Sequence, residues 1–140
     1  MRLFRRPALC ALSLALSACA TLAPPPDPRT AALAEAVRNE AGLFYAVLAA
    51  APAPQCQYEH NINEYVRLDE TAFRLKLHLA ETEASPALLH AADALARTIE
   101  EARVSHELAS ARIDDPSAEC MAPGAIALNA DAIARASKAM

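Results

Sequence analysis

The 140-residue chain has no tryptophan and only two glycines, Gly42 and Gly124. Two glycines cannot build a phosphate-cradling loop, and no G-x-x-x-x-G-K-[ST], G-x-G-x-x-G or G-x-S-x-G motif occurs. Histidine is limited to His60, His78, His90 and His106. None belongs to H-E-x-x-H, none follows a Glu at the i,i+3 spacing of di-iron bundles, and there is no C-x-x-C-H haem attachment. Carboxylates are numerous but scattered, with no acid/base pair. The chain therefore reads as a non-enzyme without cofactor or metal site. Aromatics number six, and none lies after Phe73. The second half must pack with Leu, Ile, Val and Ala. A chain rich in Ala and poor in Gly favours helices.

The N-terminal stretch MRLFRRPALCALSLALSACA has the order of an export signal. Arg2, Arg5 and Arg6 form a positive n-region, Ala8 to Leu16 an apolar run of nine residues, and small residues follow. The run is too short to span a bilayer as a mature helix. Leu16-Ser17-Ala18-Cys19 resembles the lipobox of bacterial lipoprotein precursors: aliphatic, small, small, Cys. That resemblance implies a diacylglyceryl group on the Cys19 thiol, cleavage before Cys19, and acylation (palmitate) of the new amino group. Ala20 after the Cys, rather than Asp, implies transfer to the outer membrane, facing the periplasm. Ala18-Cys19-Ala20 also fits small-x-small secretory cleavage after Ala20, which would discard Cys19 and release a soluble protein.

Loss of residues 1–18 removes three arginines and leaves 10 basic against 17 acidic side chains, a formal charge of −7 instead of −4. An acidic chain excludes the clustered Lys/Arg that nucleic-acid binding needs. Several acyl chains, at about 0.8 kcal/mol per buried methylene, would hold the protein on a membrane durably. Residues 19–28 then read as lipidated Cys19 plus a tether stiffened by Pro24, Pro25 and Pro26. Residues 29–140 read as one domain.

Four helices are expected there. Asp27 caps the first with Pro28 at N1, over about 28–50, and Leu33, Val37, Phe44 and Leu48 share a face. Ala51-Pro52-Ala53-Pro54 stops it. The second runs over about 57–83, with Tyr58, Ile62, Tyr65, Leu68, Ala72, Leu75 and Leu79 inward and a Glu70/Arg74 pair outside. Ser85-Pro86 opens the third, about 86–113. Its seam of Leu88, Ala92, Leu95, Ile99, Ala102, His106, Ala109 and Ile113 alternates steps of four and three, and Asp93/Arg97 supports its outer face. Asp114-Asp115-Pro116 ends it. Pro123-Gly124 opens the fourth, about 124–138, with Ile126, Ala130 and Ile133 inward. Short connections predict an all-α, antiparallel four-helix bundle, with a three-helix bundle and a loosely docked fourth helix as the fallback.

Once Cys10 leaves with the signal segment and Cys19 carries lipid, Cys56 and Cys120 remain. Both precede helices that start at the same end of an up-down-up-down bundle, so a Cys56–Cys120 disulfide is expected. His106 falls on an apolar seam. It reads as a core-edge histidine whose ring nitrogens find polar partners, with a ligand-binding or pH-sensing role as the alternative. His60/Glu64 and His78/Glu81 read as solvated helix pairs. The segment QYEHNINEY is dense in amides and aromatics, and Tyr58, His60, Asn61, Glu64 and Tyr65 are its candidate partner-facing residues.

The reading that follows is a membrane-anchored binding or adaptor module for an envelope protein, taking an amphipathic helix between its own helices. In architecture only, with no shared motif, it looks like the small helical pilotin lipoproteins that bind secretin subunits: lipid anchor, four helices, one disulfide. A small-molecule or metal-binding bundle around His106, or a structural envelope lipoprotein, are the alternatives.

Overall fold

The computed structural model describes residues 27–52, 54–111 and 121–140. The signal segment, the lipobox and the tether up to Pro26 lie outside them, as do Ile113, Cys120 and most of the connection between the last two helices. The described residues form four helices: α1 (Pro28–Ala50), α2 (Tyr58–Glu81), α3 (Pro86–Ser110) and α4 (Pro123–Lys138). Among them there is no strand. Each helix packs on two neighbours, α1 on α2 and α4, and α3 on α2 and α4. No close backbone contact joins the diagonal pairs among the described residues. The result is a square, antiparallel four-helix bundle. The fourth helix is fully docked, with Ile126 and Ile133 buried against the rest.

Local signals set the helix limits. Asp27 accepts from the Thr30 amide at 3.0 Å, with Pro28 in the first turn. Ser85 caps α3 through the Leu88 amide at 3.4 Å, again with Pro86 behind it. The end of α2 had no such signal. Its last turn closes as a Schellman motif: the Ala84 amide donates to Leu79 and the Glu83 amide to Ala80. That motif needs a left-handed residue, and Glu83 takes it at φ 51°. A glycine is the usual occupant, and this chain spends neither of its two there.

The central core is aliphatic. Val37, Leu75, Leu79, Leu95, Ile99 and Ile133 are fully buried, with Ala34, Ala41, Ala72, Ala92 and Ala102 letting the helices approach closely. Four aromatic side chains, Phe44, Tyr45, Tyr58 and Tyr65, cluster at one end instead, where α1 finishes and α2 starts. The Phe44 ring lies 4.9 Å from Tyr45 and 5.0 Å from Tyr65, edge-on to the latter. One expected core residue is out of place. Ile62 of α2 is largely exposed, because the step from Tyr58 to Ile62 rotates it past the inward stripe set by Tyr65, Leu68, Leu75 and Leu79.

Replacing Glu83 with glycine tests the α2 stop. Glu83→Gly removes the left-handed strain, and the unfolding free energy should rise by about 0.5–1 kcal/mol. Urea denaturation with an unchanged m-value is the measurement. An unchanged or lower midpoint contradicts the assignment.

Candidate functional site

The side chains with chemistry gather at the end of the bundle that holds the 51–57 connection. His106 is the centre. Helix α3 carries it on the inward seam, and it is fully buried rather than at the core edge. Its Nε2 lies 2.8 Å from the carbonyl of Cys56, and its Nδ1 lies 3.2 Å from the hydroxyl of Tyr65. Tyr65 in turn lies 3.4 Å from the hydroxyl of Tyr45. A carbonyl only accepts, so Nε2 carries the ring proton and donates. Nδ1 then accepts from Tyr65, and Tyr65 accepts from Tyr45. One carbonyl thus orients a chain of three hydrogen bonds across α1, α2, α3 and the connection.

Burial pushes the His106 imidazole below its ordinary value of 6.5, against the smaller upward pull of the Cys56 carbonyl and the Glu59 carboxylate. Burial also raises both phenols, Tyr45 and Tyr65, so neither ionises. With both nitrogens engaged, His106 offers no free lone pair to a metal in this arrangement. Among the described residues no three His, Cys, Asp or Glu side chains converge as a metal site.

A second ring of contacts locks the same end. The Tyr58 amide donates to the Ser110 hydroxyl at 2.9 Å, tying the start of α2 to the end of α3. Arg103 donates to the Tyr58 hydroxyl at 2.9 Å, stacks at 5.9 Å from its ring, and pairs with Glu100 and Glu107. Cys56 is buried and disulfide-bonded. Its partner sulfur and Cys120 lie outside the described residues.

Outside this buried chain, α1 and α2 part to leave an open groove of about 420 Å³. Leu43, Phe44 and Val47 line it from α1, and His60, Asn61, Glu64 and Arg67 from α2. Leu43 and Val47 stand at least 59% exposed. Phe44 links groove and buried chain, since its ring faces the one and packs on Tyr65 of the other. The polar rim is largely self-satisfied. Arg67 grips both oxygens of Glu64 at 3.0 and 3.3 Å, and the Thr71 hydroxyl donates to Glu40 at 2.9 Å.

Three of the five expected partner-facing residues, His60, Asn61 and Glu64, share this groove. The amide of Asn61 is spent internally, donating to the carbonyls of Gln55 and Gln57 at 2.9 and 2.7 Å. Tyr58 is half-buried under Arg103. Tyr65 is a correction: at 1% exposure it belongs to the core, because its ring fills the space between Phe44 and His106. His78 is another. It is buried and donates 2.7 Å to Asp27, not to Glu81. It thereby fastens the C-terminal end of α2 to the cap of α1 and helps hold Asp27 below the usual carboxylate range. Asp93 likewise bridges to Lys76 of α2 at 2.6 Å, with Arg97 adding only its field. Sequence reasoning missed Leu43 and Val47. Their signal was present: an apolar i,i+4 pair displaced from the Val37–Phe44–Leu48 face.

The chain matches no protein-family model, and no curated protein and no solved structure matches it. No described helix is long and apolar enough to cross a membrane.

The His106 chain has a pH signature. An unfolded chain binds a proton near pH 6.5 that the folded imidazole resists, so His106's share of stability is full above that pH and is lost as pH falls below it, levelling off beneath the depressed folded value. His106→Gln should remove that share of the slope between pH 7 and 5 in urea titrations. Tyr65→Phe should cost about 1–3 kcal/mol, because it orphans Nδ1 and the Tyr45 hydroxyl together. Parallel pH profiles for wild type and His106→Gln contradict the assignment.

Proposed function

We propose that this protein is a bacterial lipoprotein, held through acyl chains on Cys19 at the periplasmic face of the outer membrane. It acts there as a non-enzymatic binding module for another envelope protein. The observation that carries the reading is the α1–α2 groove, where Leu43 and Val47 stand exposed on a floor backed by a rigid aromatic cluster. The fitting ligand is an amphipathic helix of the partner. Its apolar ridge would bury Leu43 and Val47, and its polar flanks would meet the Glu40, Glu64 and Arg67 rim. The lipobox supports the location. The reading is pilotin-like in architecture alone: lipid anchor, four helices, one disulfide.

The same reading pairs Cys56 with Cys120. Cys56 is disulfide-bonded, and Met121, the next residue after Cys120, is buried at the head of α4. Closing about 63 intervening residues would stabilise the fold by roughly 4 kcal/mol in the chain-entropy model. It would also fix the connection whose carbonyl His106 grips.

Mass spectrometry of the protein purified from membranes checks both assignments at once. The expected products are an N-terminal Cys19 bearing acyl chains and a non-reduced peptide linking Cys56 to Cys120. A chain beginning at Thr21 contradicts the anchor, and two alkylatable thiols contradict the bridge. For the groove, Val47→Glu should leave helicity intact and abolish crosslinking from position 43 to an envelope protein in intact cells. An undiminished crosslink would move the binding surface elsewhere.

A further inference from the structure

The outer face of α2 carries a feature that neither the bundle nor the groove uses. Ile62, Val66, Phe73 and Leu77 are all between 41% and 64% exposed. Their spacing of four, seven and four places them on one side of the helix. That side is opposite the inward stripe of Leu68, Leu75 and Leu79. The stripe spans 16 residues, about 22 Å along the axis, enough for a helix-to-helix contact of four turns.

The charges nearest Phe73 are divided by it: Asp69 and Glu70 come before it, and Arg74 and Lys76 after it, with Glu81 farther out beyond the C-terminal end of the stripe. A second copy running antiparallel across a two-fold axis at Phe73 meets each acidic pair with a basic pair, twice. A parallel copy sets Asp69 on Asp69 and Lys76 on Lys76. The pattern is thus self-complementary in one orientation only, as an isologous interface requires. The in-chain arrangement leaves room for this. Asp69 makes no hydrogen bond or ion pair among the described residues, and Glu70 and Arg74 meet only at 3.8 Å. Lys76 reaches Asp93 with one of three donors.

We propose that the outer face of α2, centred on Phe73, is a two-fold interface between copies of this chain. Phe73 packs on its own counterpart at the axis, Ile62 and Val66 pack toward Leu77 and Ala80 of the second copy, and the charge pairs fix the register. A single helix pair belongs to the small, weak class of interfaces. Anchoring, on the reading above, would compensate by concentrating copies in two dimensions. The antiparallel pairing puts the two Asp27 ends at opposite extremes of the dimer. Both tethers still reach one membrane when the helices lie flat along it, since eight residues of extended chain span about 25 Å.

The test uses the full chain in bacterial cells, with a photo-crosslinking residue substituted for Phe73. Irradiation should give an adduct of twice the chain mass, with the crosslink mapping to residues 66–80 of a second copy. The same probe at Val47, in the α1–α2 groove, should give no such self-adduct. Combined Asp69→Lys and Glu70→Lys should reduce the adduct at least tenfold, and adding Arg74→Glu and Lys76→Glu should restore it. Circular dichroism of each purified variant checks that helicity is unchanged. An adduct to a different protein, no adduct, a self-adduct from position 47 instead of 73, or a loss that the charge reversal fails to restore would each overturn the proposal. Failure of the groove crosslink with a positive Phe73 self-adduct would remove the binding function and leave the dimer standing.

Discussion

A backbone carbonyl can only accept a proton, and in this bundle that constraint orders one whole end. The Cys56 carbonyl accepts a hydrogen bond from the Nε2–H of His106. Burial favours the neutral imidazole, and a neutral ring with its proton on Nε2 presents a bare Nδ1 that receives the Tyr65 hydroxyl. Tyr65 receives Tyr45 in turn. Each partner sits on a different element, so a single tautomer coordinates α1, α2, α3 and the connection between the first two. In a core this rich in alanine, a fully satisfied polar chain supplies directional contacts that aliphatic packing cannot. At the opposite end, His78 and Asp27 tie the close of α2 to the start of α1. The two ends use the same residue type differently, one histidine sealed from solvent and one bound to an exposed carboxylate.

Helix α2 does three jobs at once. One edge carries Thr71 and His78 to α1, another carries Lys76 to Asp93 of α3, and the side away from the core is apolar. The groove beside it is shaped from behind. Phe44 is the shared wall, and its edge-on contact with Tyr65 means that the surface open to a partner is held by the same chain that starts at Cys56. A groove wall so supported keeps its shape when empty, which would lower the ordering cost of the capture proposed above.

Much of the fold was legible in the sequence. The Asp27-Pro28 and Ser85-Pro86 signatures place two helix starts at the observed residues, and the alternation of four and three from Leu88 to Ala109 predicts the inward face of α3. Local chemistry decides such features, so a local reading finds them. The misses are all tertiary. Ile62 continues the apolar spacing of α2, yet the step from Tyr58 carries it past the stripe that the other helices cover. Tyr65 reads both as an inward position of α2 and as a partner-facing residue, and its contacts with Phe44 and His106 decide for the core. His78 has Glu81 one turn away, but it is the distant Asp27, 51 residues earlier, that lies within reach. The stop of α2 rests on Glu83 in a left-handed conformation that glycine usually takes, so the residue type does not announce it. His106 lay between: its place on the seam was readable, its partners were not.

The most direct measurement of this account is the state of the His106 ring itself. Nitrogen-15 NMR of the folded protein at pH 7 distinguishes the two neutral tautomers from the imidazolium. Burial and the tie to the Cys56 carbonyl together predict a neutral ring with its proton on Nε2 and slow exchange with solvent. A ring protonated on both nitrogens at that pH, or a neutral ring with its proton on Nδ1, would contradict it.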